Sequence, residues 1–351
     1  MTVLEKHIDL LVQTLAIPAM SRNEETRAAF LQRWLVKQGF TVIRNRNNLV
    51  ITGGNDPAKA TLLLNSHMDT VAPVAGWTTD PYLPVNGNGR ITGLGSNDAG
   101  ASVVSLIAAY RHLVEKGMAG QVVLVISAEE EVSGTHGITS VLPLLPALEF
   151  AVVGEPTGMQ PAVAERGLMV LDAAASGISG HAAREEGENA IYHAMDDIEK
   201  IRGLKFNEHS DWLWDPSVSV TMIQAGTGHN VVPDTCEFVI DVRSNDKYTN
   251  ERLLEILTAE CASQLVPRSM RLRSSSLSKE HPAFRVIETL GMQPFGSPTL
   301  SDMALLSFPA VKIGPGDSAR SHTANEYIFI AEIEEAIDRY TAFLERLLKS
   351  A

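Results

Sequence analysis

The 351-residue sequence predicts an α/β protein with an inserted α+β domain. Two observations carry this prediction. Short β-rich runs alternate with helical patterns in the first half of the chain and again after about residue 280. Between them, the order of predicted elements is β-α-β-β-α-β, which is typical of a small ferredoxin-like unit with an antiparallel sheet. The length exceeds that of most single domains, which also favours two.

The first part of the chain predicts strands buried on both faces. Ser21 and Glu24 have the spacing of a capping box, which predicts a helix that ends at Gly39. Residues 99–116 predict a buried helix that is closed by Gly117. The predicted strands are short apolar runs that end in polar residues, at 61–66, 121–127 and 150–154.

The middle of the chain has a different pattern, in which apolar and polar residues alternate along the strands. Strands are predicted at 168–176, 217–225, 235–243 and 270–277, and helices at 187–202 and 249–264. The α/β character then returns with a helix near 282–291, a strand at 310–313 and an amphipathic helix at 331–348. We therefore expect a discontinuous domain of residues 1–166 and 279–351, interrupted by an inserted domain of residues 167–278.

The composition disfavours some classes of partner. Lys and Arg number 29 against 42 Asp and Glu, a formal net charge of −13. Nucleic acids and anionic membranes attract basic surfaces, so neither is expected as a partner. An acidic surface suits metal cations or cationic substrates, although solubility explains it equally well.

The sequence also predicts a cytoplasmic location. Glu5 and Asp9 interrupt the apolar residues near the N-terminus, whereas a signal peptide has a basic start and an uncharged apolar run. No apolar run approaches the length of a membrane span. Cys236 and Cys261 are expected to be small buried residues and not a disulfide framework.

Polar residues follow the predicted strands at the point where ligands bind in α/β sheets. They are His67 and Asp69, Asp98 in a Gly-rich turn, Glu129–Glu131, Glu155, and His322 in a Gly/Pro-rich loop. Imidazole nitrogens and carboxylate oxygens suit zinc, cobalt or manganese. Two such ions can acidify a water and polarise a carbonyl group. The pattern therefore indicates a site for two divalent metals.

Each of these residues also has a simpler interpretation. A single His at a strand end is more often structural than metal-binding, and Asp98 could cap a helix that starts at Ala99. A run of three glutamates is usually a solvated face, and Glu155 before Pro156 could belong to an ordinary turn. From the residues alone, the metal site is only slightly favoured.

Six motifs in order strengthen the metal hypothesis. They are HMDTV (67–71), SNDAG (96–100), EEEVSG (129–134), GEPT (154–157), SGHAA (179–183) and GPGDSARSHTANEY (314–327). Together they resemble the di-zinc deacylase and carboxypeptidase family, which includes acetylornithine deacetylase, succinyl-diaminopimelate desuccinylase and glutamate carboxypeptidase. The resemblance implies a zinc-peptidase-like catalytic domain with an inserted lid and dimerisation domain.

The resemblance also implies a role for each motif residue. His67, Asp98 and Glu155 would hold one metal, and Asp98 would bridge to a second metal that is held by Glu131 and His322. Asp69 would accept the other ring N–H of His67 and fix its orientation. Glu130 would be the general base, although a shift of base and ligand to Glu129 and Glu130 remains open.

The inserted domain would complete the site in a homodimer. His181 resembles a lid histidine that reaches into the partner subunit's site and stabilises an oxyanion. Asn230 and Arg243 resemble residues that bind the substrate carboxylate, to which the planar fork of Arg is suited. A strand-end surface arginine is an equally good interpretation of Arg243.

The implied reaction is metal-dependent hydrolysis of an N-acyl amide. The sequence resembles most the short acetylornithine deacetylase branch, which implies N2-acetyl- or N2-succinyl-L-ornithine as substrate, in arginine biosynthesis. The alternatives are a succinyl-diaminopimelate desuccinylase and a dipeptidase or carboxypeptidase. A binding protein that keeps the fold without turnover is a different class, disfavoured because every implied ligand and the base are present.

Overall fold

The computed structural model describes residues 1–52, 62–118 and 122–350. The chain forms two compact units. Unit 1 comprises Met1–Val163, Leu277–Phe295 and Ser301–Ala351, and unit 2 comprises Ala164–Ser276 and Gly296–Leu300. The sequence placed the boundaries three and two residues later, after 166 and 278, and placed residues 296–300 in the first domain.

The helices and strands follow the chain in this order. The α-helices are α1 (Val3–Leu15), α2 (Glu25–Lys37), α3 (Ala101–Glu115), α4 (Ile138–Val141), α5 (Ala190–Gly203), α6 (Asn250–Glu260), α7 (Pro282–Thr289) and α8 (Ile330–Ser350). The strands are β1 (Thr41–Asn45), β2 (Asn48–Thr52), β3 (Leu62–His67), β4 (Val85–Gly87), β5 (Arg90–Thr92), β6 (Val122–Ser127), β7 (Phe150–Val153), β8 (Ala162–Glu165), β9 (Met169–Ser176), β10 (Gly180–His181), β11 (Ser217–Ala225), β12 (Val231–Val232), β13 (Thr235–Arg243), β14 (Gln264–Pro267), β15 (Ser275–Ser276), β16 (Phe295–Ser297), β17 (Ala310–Lys312) and β18 (Tyr327–Phe329). Among the described helices, none combines the length and the apolar character that crossing a membrane requires.

Unit 1 is built on a mixed sheet with a parallel centre. Strands β6, β3, β7 and β17 lie side by side in this order and run parallel, while β1 and β2 extend the sheet antiparallel beside β6. Every residue of β3, β6 and β7 is buried, as expected for strands covered on both faces. The predicted α/β fold class is confirmed. Gln121 and Thr61, which the sequence placed in strands, lie outside the described residues.

The predicted capping box of α2 is wrong. The helix begins at Glu25, and Glu24 at its N-cap position makes no side-chain cap hydrogen bond. The Ser21 hydroxyl instead donates to Asp69 Oδ2 at 2.7 Å, and the Glu24 carboxylate accepts the backbone N–H groups of Arg22 and Glu129. Both side chains therefore bind parts of the chain outside their own helix.

Helix α3 begins at Ala101 and not at Ala99. Asp98 and Ala99 have non-helical backbone dihedrals, and Gly100 occupies the N-cap position. The interpretation of Asp98 as a helix cap is therefore wrong. Its side chain is free to face another part of the molecule.

Unit 2 contains the ferredoxin-like arrangement that the middle of the sequence predicts. Its sheet has the order β11-β13-β9-β14 with all neighbours antiparallel. Alternate residues of β9 and β13 point toward α5 and α6 and form a core that includes Leu171 and Phe238. Cys236 and Cys261 are buried in this core as free thiols, as expected.

The last helix and strand of unit 2 differ from the prediction. Helix α6 ends at Glu260 instead of 264, because the amides of Ala262 and Ser263 donate to the buried Asp197 carboxylate. The fourth strand of the sheet is β14 and not a strand over 270–277. In that predicted range, Ser275–Ser276 form β15, which pairs with β8.

Candidate metal centre

The candidate residues of unit 1 meet at the carboxyl edge of its parallel strands. His67 is the last residue of β3, Glu130 and Glu131 lie in the turn after β6, and Glu155 follows β7. Adjacent parallel strands bring the residues that follow them to one edge of the sheet. Asp98 and His322 reach this edge from loops.

One set of contacts surrounds the buried His67 ring. Its Nε2 lies 3.1 Å from Asp98 Oδ1 and 3.7 Å from Glu155 Oε1. The same atom lies 3.9 Å from Glu130 Oε2. His67 is 1% exposed, so these carboxylates approach it with little water between them.

A second set of contacts surrounds His322. Its Nε2 lies 2.9 Å from Glu131 Oε2 and 3.6 Å from Asp98 Oδ2. Asp98 therefore presents one carboxylate oxygen to His67 and the other to His322. A carboxylate with this orientation has the form needed to bridge two metal ions.

Asp69 connects the end of β3 to the glutamate turn. The Nδ1 atom of His67 lies 3.0 Å from the Asp69 carbonyl oxygen and 3.5 Å from its Oδ1. The Asp69 carboxylate accepts the backbone N–H groups of Glu130 and Glu131, at 3.1 and 3.2 Å, and the Ser21 hydroxyl. One buried residue thus contacts the imidazole, chiefly through its backbone carbonyl, and holds both glutamate backbones through its carboxylate.

The three consecutive glutamates have different surroundings. The Glu129 carboxylate accepts the N–H of His136 and lies against Gly134, where it leaves no space for a side chain. The side chains of Glu130 and Glu131 are only 12% and 8% exposed and face the two imidazoles. The interpretation of the triplet as a solvated face is wrong, and this geometry favours Glu130 and Glu131 over Glu129 as the chemically active pair.

Burial and crowding shift the pKa values of these groups. Burial raises the pKa of Glu130 and of Glu155 well above the usual value, although His67 opposes the shift in both. Burial lowers the pKa of His67, but the carboxylates of Glu130 and Glu155 outweigh it and raise that pKa well above its usual value. The hydrogen bond to Glu131 raises the pKa of His322 to about 9. The cluster therefore contains more carboxylates than its two imidazoles can neutralise.

The residues present fit divalent metal ions. Glu155 Oε1 is buried and has no hydrogen-bond partner, so a ligand atom is available there. Zinc binds His nitrogen and carboxylate oxygen at ~2.0–2.2 Å, which places two ligand atoms of one ion roughly 3–4 Å apart. Among the described residues, two groups of three have their ligand atoms within 4.8 Å of one another, a little wider than that spacing: His67 with Asp98 and Glu131, and His67 with Glu130 and Glu155.

Two buried acids near this edge were not identified from the sequence. Glu326 accepts the N–H groups of Gly95, Asn97 and Asp98, and burial raises its pKa to about 7. It stands in the SHTANEY segment, four residues after His322, but nothing in the segment indicates which way it points. Asp302 accepts the Ser127 hydroxyl at 2.7 Å, and burial raises its pKa to about 6.

The three candidate residues of unit 2 lie on two different parts of its fold. His181 is exposed on β10 and pairs with Val231, and the N–H of the next residue donates to the Asn230 carbonyl. Arg243 ends β13, and its Nε and Nη2 donate to Asp241 at 2.8 and 3.1 Å. His181 and Asn230 are therefore neighbours, whereas the fork of Arg243 is paired within its own strand.

Comparisons with known proteins agree with this fold. The model of peptidase family M20/M25/M40 matches residues 63–346, and the chain belongs to that family. Peptidases hydrolyse amide bonds, so the chain is a member of a family of amide hydrolases.

Similar proteins match over most of their length. A succinyl-diaminopimelate desuccinylase of Parvibaculum lavamentivorans is 26% identical, with 96% of this chain and 94% of the relative covered. An acetylornithine deacetylase of Proteus mirabilis is 27% identical, with 93% of each chain covered. Among solved structures, the aminopeptidase PepT of Bacillus cereus aligns with a TM-score of 0.76 at 20% identity over 98% of each chain. The resemblance to this family is confirmed.

Metal binding is expected to release protons. A ligand nitrogen must lose its proton, and the raised pKa of His322, about 9, keeps that ring protonated at neutral pH in the metal-free protein. Affinity for zinc should therefore rise with pH and level off only above about 9, the pKa of His322, and proton release should fall as the pH passes through that value. Calorimetric titration with zinc, in buffers of different ionisation heats, measures both quantities.

A His322→Gln variant is the control for this titration, because it lacks the imidazole that carries this proton. It should release fewer protons than the unchanged protein at pH 7. Proton release that stays the same between pH 6 and pH 10, or equals that of the variant, would contradict the prediction.

Proposed function

We propose that this protein is a two-metal hydrolase that cleaves the N-acyl amide bond of an acylated amino acid. The observation that carries the proposal is the position of Asp98 between two imidazoles, with one oxygen toward His67 and the other toward His322. Glu155 and Glu131 stand beside these imidazoles. Donors of nitrogen and oxygen without a thiolate favour zinc, with cobalt or manganese as alternatives.

In this proposal, the ligands divide between two metals. His67 and Glu155 would hold one ion, Glu131 and His322 would hold the other, and Asp98 would be shared between them. When bound, the ions polarise the acyl carbonyl group and lower the pKa of a water. Asp69 keeps the His67 ring oriented through its contacts with Nδ1.

Glu130 is the proposed general base. Its carboxylate lies 3.9 Å from His67 Nε2 and is 12% exposed, so it is at the centre and still reachable by substrate. It accepts a proton from the attacking water and returns it to the amine nitrogen as the amide bond breaks. Burial raises its pKa, which makes it a better proton acceptor near neutral pH than an ordinary glutamate.

The proposed substrate is N2-acetyl- or N2-succinyl-L-ornithine, which gives L-ornithine in arginine biosynthesis in the cytoplasm. The 27% identity to an acetylornithine deacetylase supports this choice. The 26% identity to a succinyl-diaminopimelate desuccinylase supports the second candidate, removal of succinate from succinyl-diaminopimelate. Both are hydrolyses of an N-acyl group from an amino acid that has a second amino group, so the proposed metal centre would serve either.

Unit 2 is proposed to act as a lid and to form a homodimer. Strand β11 is an edge strand that exposes Met222 and Ile223, a surface on which a second copy could pair. His181 would stabilise the oxyanion in the partner subunit's site, and Asn230 and Arg243 would bind the substrate carboxylate. For Arg243, this requires that the substrate compete with Asp241 for the fork.

A substrate panel tests the proposed activity. Zinc- or cobalt-loaded protein should release amine from an N-acyl-ornithine, and a chelator should abolish this release. The panel includes N-acetyl-ornithine, N-succinyl-ornithine, N-succinyl-diaminopimelate, N-acetyl-lysine and dipeptides. A preference for succinyl-diaminopimelate would select the second candidate, and cleavage of dipeptides alone would exclude both. No turnover in protein shown to hold metal would favour a binding protein.

The role of Glu130 is tested by Glu130→Gln, with Glu129→Gln as the matched control. The amide of glutamine cannot take up a proton, so Glu130→Gln should lower kcat by ~10²–10⁴-fold while metal stoichiometry and substrate binding persist. Glu129→Gln should keep kcat within several-fold, because the Glu129 carboxylate binds the His136 amide. Near-normal kcat in the first variant with a large loss in the second would transfer the role to Glu129.

The shared site is tested by mixing two inactive variants. Neither His181→Ala nor Glu130→Gln protein should turn over alone. A hybrid dimer contains one site with an intact Glu130 and the partner's intact His181, so mixing should restore activity in proportion to the hybrid fraction. Light scattering gives the dimer, and subunit exchange is followed with labelled protein. No recovery after exchange is confirmed would rule out action of His181 across the dimer.

A further inference from the structure

Glu326 occupies a position that the proposed reaction does not explain. Its side chain is 2% exposed, and its carboxylate receives three backbone N–H groups from one short loop. Oε1 accepts from Asn97 at 2.8 Å and from Asp98 at 2.9 Å, and Oε2 accepts from Gly95 at 3.0 Å. The Glu326 carbonyl oxygen also accepts the N–H of Gly93. A single residue therefore holds the loop that carries Asp98.

The loop cannot satisfy these amides by itself. Asp98 and Ala99 have non-helical dihedrals, so the N–H groups that precede α3 are not part of a regular helix. A buried N–H group without a partner costs about 1–3 kcal/mol. Without the Glu326 carboxylate, the loop would relieve this cost by moving its backbone, and the Asp98 side chain would move with it.

The loop is also closely packed on its other sides. Gly95 has a φ of +82°, and a side chain there would come within 2.6 Å of Thr70 Cγ2. The side-chain Nδ2 of Asn97 donates to the Asp317 carbonyl and to the Ser321 hydroxyl. Asn97 thus links this loop to the segment just before His322. Glu326 stands just after His322, so the loops of Asp98 and His322 are joined on both sides of that ligand.

We propose that Glu326 is a positioning residue that sets the bridging orientation of Asp98. By holding three amides of the 95–98 backbone, it directs Asp98 Oδ1 toward His67 and Oδ2 toward His322. The inference rests on the proposed function, because it assumes that both imidazoles bind metal. It adds a residue that is not in the proposed ligand set to those that the site requires, since Glu326 makes no hydrogen bond or ion pair with either imidazole ring.

Loss of this carboxylate should affect the two metals unequally. If Asp98 turns away, the first ion keeps His67 and Glu155, with Glu130 close by. The second keeps only Glu131 and His322. The second ion should therefore be weakened more than the first, a pattern that general destabilisation would not produce.

The test is a cobalt titration of Glu326→Gln, followed by calorimetry and by the visible absorption of bound cobalt. Glutamine keeps one acceptor oxygen but places an NH₂ group against a backbone N–H, so the loop should shift. The second equivalent should bind about 10–100-fold more weakly than in the unchanged protein, as for other residues that orient ligands. Its absorption should also change, while the first equivalent is affected less.

Asp197→Asn is the matched control. Asp197 is a buried carboxylate that also accepts two backbone amides, those of Ala262 and Ser263, but it belongs to unit 2. This variant should lose thermal stability and keep both cobalt affinities and the spectrum. Loss of the second cobalt in both variants would show that lowered stability is the cause and would overturn the proposal.

A second variant covers the case in which Glu326→Gln does not fold. Glu326→Asp keeps the charge but withdraws the carboxylate by one methylene group, and it should also weaken the second cobalt. A folded variant of either kind with unchanged cobalt binding would overturn the proposal. These readouts need no substrate: an unchanged protein that binds two cobalt ions but hydrolyses nothing in the panel would sink the proposed reaction and leave this inference standing.

Discussion

The main physical constraint on unit 1 is that several carboxylates are held close together at one buried edge of its sheet. Asp98, Glu130, Glu131 and Glu155 all stand within 4 Å of an imidazole nitrogen, and their side chains are almost closed to water. Carboxylates this close repel one another strongly where the dielectric constant is low. The repulsion is relieved by proton uptake, as the raised pKa values of Glu130 and Glu155 indicate, or by positive charge such as bound cations would supply. The cluster also needs a scaffold that keeps the side chains from moving apart.

The scaffold resists that repulsion by fixing the backbone behind each ligand. Strands β3, β6 and β7 are buried along their whole length, so the points at which they end are rigid. Beyond the strand ends, buried carboxylates take over. Asp69 holds the amides of Glu130 and Glu131, and Glu326 holds those of the Asp98 loop. Acids outside the proposed ligand set thus hold the backbone of the proposed base and of two proposed ligands.

The proposed metal centre does not by itself select a substrate. The relatives include a desuccinylase and a deacetylase at nearly equal identity, 26% and 27%. Both names describe hydrolysis of an N-acyl amide, for which the proposed metal centre would be equally suited. The acyl group and the amino acid would then be distinguished by residues outside the proposed ligand set.

The sequence by itself determined the two-part architecture and the strand ends at which the ligands stand, because periodicity and strand-end polarity are local properties of the chain. It located His67, Asp98, Glu155 and His322, but only tertiary structure decided which carboxylate faces which imidazole. Ser21 and Glu24 show what local sequence cannot predict. Their spacing matches a capping box, but their side chains bind Asp69 and the Glu129 N–H instead of capping the helix. The sequence did not identify Glu326 for the same reason. Its hydrogen bonds span more than 220 residues of sequence, and no local pattern records a contact of that range.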